Sequence, residues 1–298
     1  MGPVAFQGEL GAFSELAARE FFGQAIEVSP SPTFAEVFAK VTDGTAEAGI
    51  IPIENSLTGS IHENYDLLLE HDLHIIGEIK LRIVHHLIVN PGVKREDIRR
   101  VMSHPQALAQ CRDYIRSLPG IEVRPVYDTA GAVQELKNSG ARDTAAIASA
   151  QAAADYRLEI LASGIESNHQ NFTRFLAISP RPLTESDPSR GNPADMKVSI
   201  AFALHHAPGT LFKGIGVFAL RDIDLLKIES RPLLGKPWEY LFYLDFSGDL
   251  EEPRIKKALD HLGELTTLLR VLGCYHRGRV ADGSSLVKRS SPSAERTP

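Results

Sequence analysis

VAFQGELGAFSELAAREFFG, residues 4–23, puts a strand, a turn and a helix into one short stretch. VAFQG (4–8) is a short apolar run ending in a glycine turn. Ser14 then precedes ELAAREFF, whose apolar positions recur at helical spacing until Gly23 stops it. Outward from there the unit repeats. Pro32 and Thr33 open a helix through FAEVFAKVTDG, AGIIPIE (48–54) reads as a buried strand, and ENYDLLLEH (63–71) as a helix with Leu67, Leu68 and Leu69 inside. IIGEIKLRIVHHLIVN (75–90) is strand material crossing into a new unit. RRVMSH, IEVRPVY and TAAIAS follow as strands, separated by helices over PQALAQCRDYIRSL and TAGAVQELKNSG and followed by one over AQAAADYR. This alternation predicts an α/β fold with mostly parallel sheets. Its repetition on both sides of about residue 80 predicts two lobes with a ligand cleft between them.

Residues 179–195 hold four prolines and no periodicity, which marks a linker. Beyond it, MKVSIAFALHH, LLKIESRPL and KPWEYLFYLDFSG read as strands, PGTLFKGIGVFALRD as a helix, and PRIKKALDHLGELTTLLRVLG as a helix passing into a short strand, RVLGCYH. The order β-α-β-β-α-β over 196–277 predicts a ferredoxin-like module. From 278 the chain is rich in Ser, Pro and Gly and reads as a disordered tail.

A formal charge of −6 argues against nonspecific nucleic-acid binding. No apolar stretch approaches the roughly 20 residues a membrane span needs. MGPVAFQGELG lacks the start of a secretory signal, and two distant cysteines, Cys111 and Cys274, suit a reducing cytoplasm. His85–His86 and His205–His206 are neighbours on strands, so each pair faces opposite ways; core or surface roles are expected, and no metal. No phosphate-binding glycine motif occurs, so no nucleotide cofactor is expected.

Several strand ends carry clustered donors. IENSLTGSI (53–61) brings Glu54, Asn55, Ser56, Thr58 and Ser60 to one loop; turn-making and helix capping are the plain alternative. In SHPQALAQC (103–111), Ser103 ends a strand, Pro105 suits a helix start, and Gln106 and Gln110 share a helix face. DTAGA (128–132) offers Thr129 among small residues. NFTRF (171–175) sets Thr173 beside Arg174, a carboxylate-binding group, although alternation along a strand turns the two to opposite faces.

Together, VAFQGELGAFSE, GIIPIENSLTGSI, VMSHPQALAQC, DTAGA, NFTRF and IESRP resemble prephenate dehydratases in order and spacing, from residue 4 to about 277. RDTAAIASAQAA and LRVLGCYH also look like the related arogenate dehydratases. The resemblance implies a cofactor-free lyase of phenylalanine biosynthesis that turns prephenate into phenylpyruvate. It implies a catalytic domain over 1–178, similar to periplasmic solute-binding proteins, whose last strand near 172–178 returns to the first lobe. An ACT regulatory domain would follow over 196–277. Carried over, the catalytic threonine falls on Thr173, with Arg174 anchoring a carboxylate and Asn55, Ser103 and Gln110 in the site. Glu54, Ser56, Thr58, Gln106, Thr129 and Phe175 would contact substrate. L-Phenylalanine, as feedback effector, would meet Gly209, Thr210, Leu211 and Phe212, then Glu229, Ser230, Arg231 and Pro232. The family's GAL segment reads Gly209-Thr210-Leu211 here, which adds a hydroxyl and a branch near the effector. Homodimers or homotetramers are implied, and a non-catalytic amino-acid sensor is the rival from another class.

Overall fold

In the computed structural model, residues 2–184, 195–232 and 240–283 are described. Most of the linker, the KPWE start of one expected strand (236–239) and the tail from 284 lie outside them. The chain forms two compact units. Of the described residues, one comprises 2–71, 79–177 and 279–283; the other comprises 72–78, 178–184, 195–232 and 240–278.

The first lobe of the first unit runs β1 (Val4–Gln7), α1 (Phe13–Phe22), β2 (Val28–Ser31), α2 (Phe34–Thr42), β3 (Ala48–Asn55), β4 (Gly59–Ser60), α3 (His62–Glu70) and β5 (His74–Arg82). β1 lies between β2 and β3, parallel to both, with Val4 opposite Val28 and Ala48. Ile50, Ile51 and Ile53 of β3 are all buried, as expected of a strand covered on both faces.

The second lobe holds β6 (His86–Val89), β7 (Arg100–Ser103), α4 (Pro105–Gln110), α5 (Arg112–Arg116), β8 (Glu122–Pro125), α6 (Thr129–Ser139), β9 (Thr144–Ala148), α7 (Ala150–Tyr156) and β10 (Glu159–Ser163). Its sheet order is β10-β6-β9-β7-β8. Val101, Ile147 and Leu108 centre its core. β11 (Phe172–Ser179) then joins the first sheet between β3 and β5.

Two expected elements are divided. The strand material over 75–90 becomes β5 and β6, in different sheets; at the break the Ile83 N–H donates to the Asn171 carbonyl, 2.8 Å away. The helix expected over 105–118 is interrupted at Cys111, where the Gln110 carbonyl accepts the Ser167 N–H at 2.8 Å. In both places a tertiary hydrogen bond redirects the backbone.

The second unit contains β12 (Met196–Leu204), α8 (Thr210–Ala219), β13 (Leu225–Pro232), β14 (Tyr240–Ser247), α9 (Pro253–Leu265) and β15 (Thr266–His276), with sheet order β13-β14-β12-β15. Val198, Ile200 and Phe202 pack on Val217, Phe218 and Leu262 of the two helices. The other face of β12 carries the polar Lys197 and Ser199 before Ala201 and Ala203. Lys197 Nζ lies 2.7 Å from Glu78 and 3.3 Å from Asp245, and Ser199 joins Asp245 to the Tyr275 hydroxyl. The last strand starts at Thr266, earlier than expected, because two β-branched threonines follow the helix directly. The tail departs from expectation too: β16 (Val280–Asp282) pairs with β5, Val280 opposite Lys80.

Candidate active site

A cavity of about 440 Å³ opens in the first unit, walled by both lobes. Five helices bring their first turns to its wall, through Phe13 of α1, Phe34 of α2, Glu63 of α3, Gln106 of α4 and Thr129 of α6. Side chains of Thr33, His104 and Asp128 cap α2, α4 and α6, while the N-cap residues of α1 and α3, Ala12 and Ile61, make no side-chain cap bond. An open helix start presents free amides and the positive end of the peptide dipoles, which suits a carboxylate. Among the described residues the wall includes no Lys or Arg. The donors an anion meets here are neutral, and the wall also carries the Glu63 and Asp128 side chains.

The turn quoted at the outset delivers α1 to this wall. Gly11 has φ 89°, and a Cβ there would strike the backbone of Ala152 in the other lobe. The Ser149 hydroxyl donates to the Gly11 carbonyl at 2.6 Å, and the Tyr127 hydroxyl donates to Glu9. Close approach of two backbones is what a glycine permits.

The polar centre is a chain of side chains. Asn55, 3% exposed, accepts through Oδ1 from the N–H groups of Leu57 (3.0 Å) and Thr58 (3.1 Å). Its Nδ2 therefore points the other way, donating to Asn171 Oδ1 at 2.7 Å and Thr173 Oγ1 at 3.0 Å. Asn171 Nδ2 donates to Gln110 Oε1 at 3.0 Å, and His85 Nε2 lies 2.8 Å from the same oxygen. Burial is the largest influence on His85 and pushes its ring below the usual histidine range, against the raising pull of Gln110 and Glu166. Burial raises the Asp128 carboxyl, partly offset by backbone N–H bonds from Gly131, Glu9 and Ala130. Both shifts favour uncharged forms.

Of the residues singled out in the sequence, Thr173, Asn55, Gln110, Gln106, Thr129 and Phe175 line the cavity. Thr58 stands one step back, accepting from Gln106 at 2.9 Å. Ser56 clasps the backbone at Gln170 and Phe172 instead. Ser103 and Arg174 are not on this wall. The Ser103 hydroxyl is fully buried and donates to the Ile147 carbonyl at 2.6 Å, away from the wall. Arg174 turns to the opposite face of β11 from Thr173, 3.9 Å from Glu54, as strand alternation requires. Asn171 and His85 were missed. Asn171 shares the face of Thr173 at i−2 and was legible on that ground; His85 depends on the break after β5, which local pattern does not reveal.

The second unit has its own hollow of about 240 Å³, where Gly209, Thr210, Leu211 and Phe212 meet Tyr240 and Phe242. Gly209 is the left-handed N-cap of α8 (φ 79°), without a side-chain cap. Glu229, Ser230, Arg231 and Pro232 lie on the edge strand β13 and not on this wall.

Three comparisons bear on these sites. Arogenate dehydratase/prephenate dehydratase 2, chloroplastic, of Arabidopsis thaliana is 46% identical over 91% of this chain and 72% of its own. A prephenate dehydratase structure from Arthrobacter aurescens in complex with L-Phe is 30% identical, with a TM-score of 0.82, over 92% of this chain and 90% of its own. GqqA, a structure described as a novel type of quorum quenching acylase, is 36% identical, with a TM-score of 0.84, over 93% of this chain and 98% of its own. The family description Prephenate dehydratase matches residues 4–182, which carry every wall residue of the larger cavity. With the motif-bearing loops gathered on one cleft and that match spanning it, the chain belongs to the prephenate dehydratase family.

Proposed function

We propose that this lyase converts prephenate to phenylpyruvate, expelling carbon dioxide and the ring hydroxyl in one aromatising step; arogenate to L-phenylalanine is the alternative at the same site. The observation that carries the reading is Thr173. Its oxygen accepts from Asn55, so its own hydrogen is free to point into a cleft of neutral donors. Aromatisation supplies the driving force, so no strong acid is needed. A hydroxyl aimed at the departing oxygen strengthens as charge develops there, and interactions that strengthen in the transition state raise the rate. The open starts of α1 and α3 hold carboxylates, a role the position of Arg174 does not suit. Gln110, with Nε2 turned from its Oε1 partners, orients the ring.

Acyl transfer, the activity named for the quorum quenching relative, needs a nucleophile beside a base. The neighbour of Thr173 is an amide nitrogen that already carries its hydrogens. Incubation with prephenate and, separately, arogenate tests the reading: phenylpyruvate absorbance or phenylalanine release supports it, and turnover of neither refutes it.

The second unit is the feedback arm, an ACT-type module. Its hollow joins an open helix start for an amino-acid carboxylate to the Tyr240 and Phe242 rings for a phenyl group, and the Arthrobacter relative is described with L-Phe bound. β13 is a sheet edge exposing Leu226 and Ile228, which suits pairing with a second copy. Among the described residues no helix is long and apolar enough to cross a membrane, and both cysteines are free. A reducing compartment fits, and the cytoplasm is the simplest one; the Arabidopsis relative is named chloroplastic.

A further inference from the structure

The chain of amides in the cleft has a direction. At one end two backbone N–H groups, of Leu57 and Thr58, fix the Asn55 oxygen inward. Backbone amides cannot flip, so every later polarity follows: Asn55 donates, Asn171 accepts and then donates, and Gln110 accepts. At the other end, the Gln110 oxygen has no hydrogen to give, so His85 must carry its proton on Nε2. Its Nδ1 is then a bare lone pair, buried and without a hydrogen-bond partner. The ring is 2% exposed and packs edge-on against Phe13 at 5.4 Å, which holds its plane.

We propose that His85 and Asn171 are positioning residues of the dehydratase site, locking the Gln110 amide and the Thr173 hydroxyl with their hydrogens toward the cleft. Neither reaches the reacting atoms; each acts through a residue that does. The wrong tautomer at His85 would turn Gln110 over and present an oxygen to an anionic substrate. The proposal rests on the dehydratase reading for its kinetic consequence, but the polarity of the chain stands apart from that reading.

Two measurements on the full chain test it. Nitrogen-15 spectra of the histidines should show His85 neutral with its proton on Nε2. Asn171→Asp, which can accept from Asn55 but cannot donate to Gln110, should move that proton to Nδ1. A proton on Nδ1 in the unaltered protein overturns the proposal, whether or not the protein turns over prephenate. The second measurement is a double-mutant cycle. His85→Phe keeps the ring against Phe13 and removes the donor; kcat/KM should fall about 100-fold, the scale of a misplaced catalytic group. In a Gln110→Ala background the same change should cost less than about threefold, because its target is gone. Losses that multiply would show a merely structural role and refute the proposal. Failure of the unaltered chain on both prephenate and arogenate would instead remove the dehydratase reading, leaving the spectra to decide the polarity.

Discussion

Thr173→Val isolates the hydroxyl on which the chemistry depends. Valine matches threonine in shape and favours a strand, and the site is 8% exposed, so packing changes little. The hydrogen bond lost is the one from Asn55 Nδ2 at 3.0 Å. That nitrogen keeps Asn171 Oδ1 at 2.7 Å and the Phe172 carbonyl at 3.2 Å, so no buried donor is orphaned. The stability cost is therefore about 1 kcal/mol, the net worth of one hydrogen bond. The rate cost is of another size. Losing a preorganised donor to developing negative charge costs about 100- to 1000-fold in kcat, or roughly 3–4 kcal/mol of barrier. Initial rates on prephenate or arogenate, beside thermal melting, separate the two effects. Thr173→Ser, which keeps the hydroxyl, should retain activity within about tenfold of the original, since one donor survives. A valine variant with a near-normal kcat and an unchanged melt would refute the role given to Thr173.

Other outcomes follow from particular residues. His85, held neutral mainly by burial among Gln110, Glu166 and His86, binds fewer protons folded than unfolded. Stability should therefore hold above about pH 6.5, the ordinary histidine value, and fall as the pH drops below it, whereas kcat, set by the ring in the folded protein, should fall only at a lower pH; a rise in kcat on the acid side would contradict this. Lys197→Met strands the Glu78 and Asp245 carboxylates in a buried setting and should cost about 3–5 kcal/mol in urea unfolding. L-Phenylalanine at about a hundredfold over its Kd should stabilise the protein by roughly 2.7 kcal/mol. Gly209→Val, which forces a β-branched residue to φ 79° at the mouth of the hollow, should abolish that gain.

The alternation of strands and helices was legible because each element carries its own periodicity and stop signals. β1 and α1 emerge from VAFQGELGAFSELAAREFFG almost residue for residue. The divisions at Ile83 and Cys111 were not, since each depends on a hydrogen bond from a segment more than fifty residues away. The same limit governs the site. The donor-rich loops could be read as strand ends pointing at a ligand, and alternation already warned that Thr173 and Arg174 face apart. Which hydroxyls remain free could not be read: Ser103 and Thr173 are both buried strand residues, and only the contact with Ile147 shows that the first is engaged. His85 looked like a core histidine, and burial is indeed its state; its role comes from the one neighbour it touches.

The absence of Lys and Arg from the described cleft wall bears on how substrate arrives. Peptide dipoles fade within a turn of the helix, whereas a guanidinium acts across a Debye length. A doubly charged acid approaching a chain of formal charge −6 thus meets no contact cation on the described wall, and the net charge opposes its approach. Added salt should quicken capture here, where in an arginine-lined pocket it would slow it.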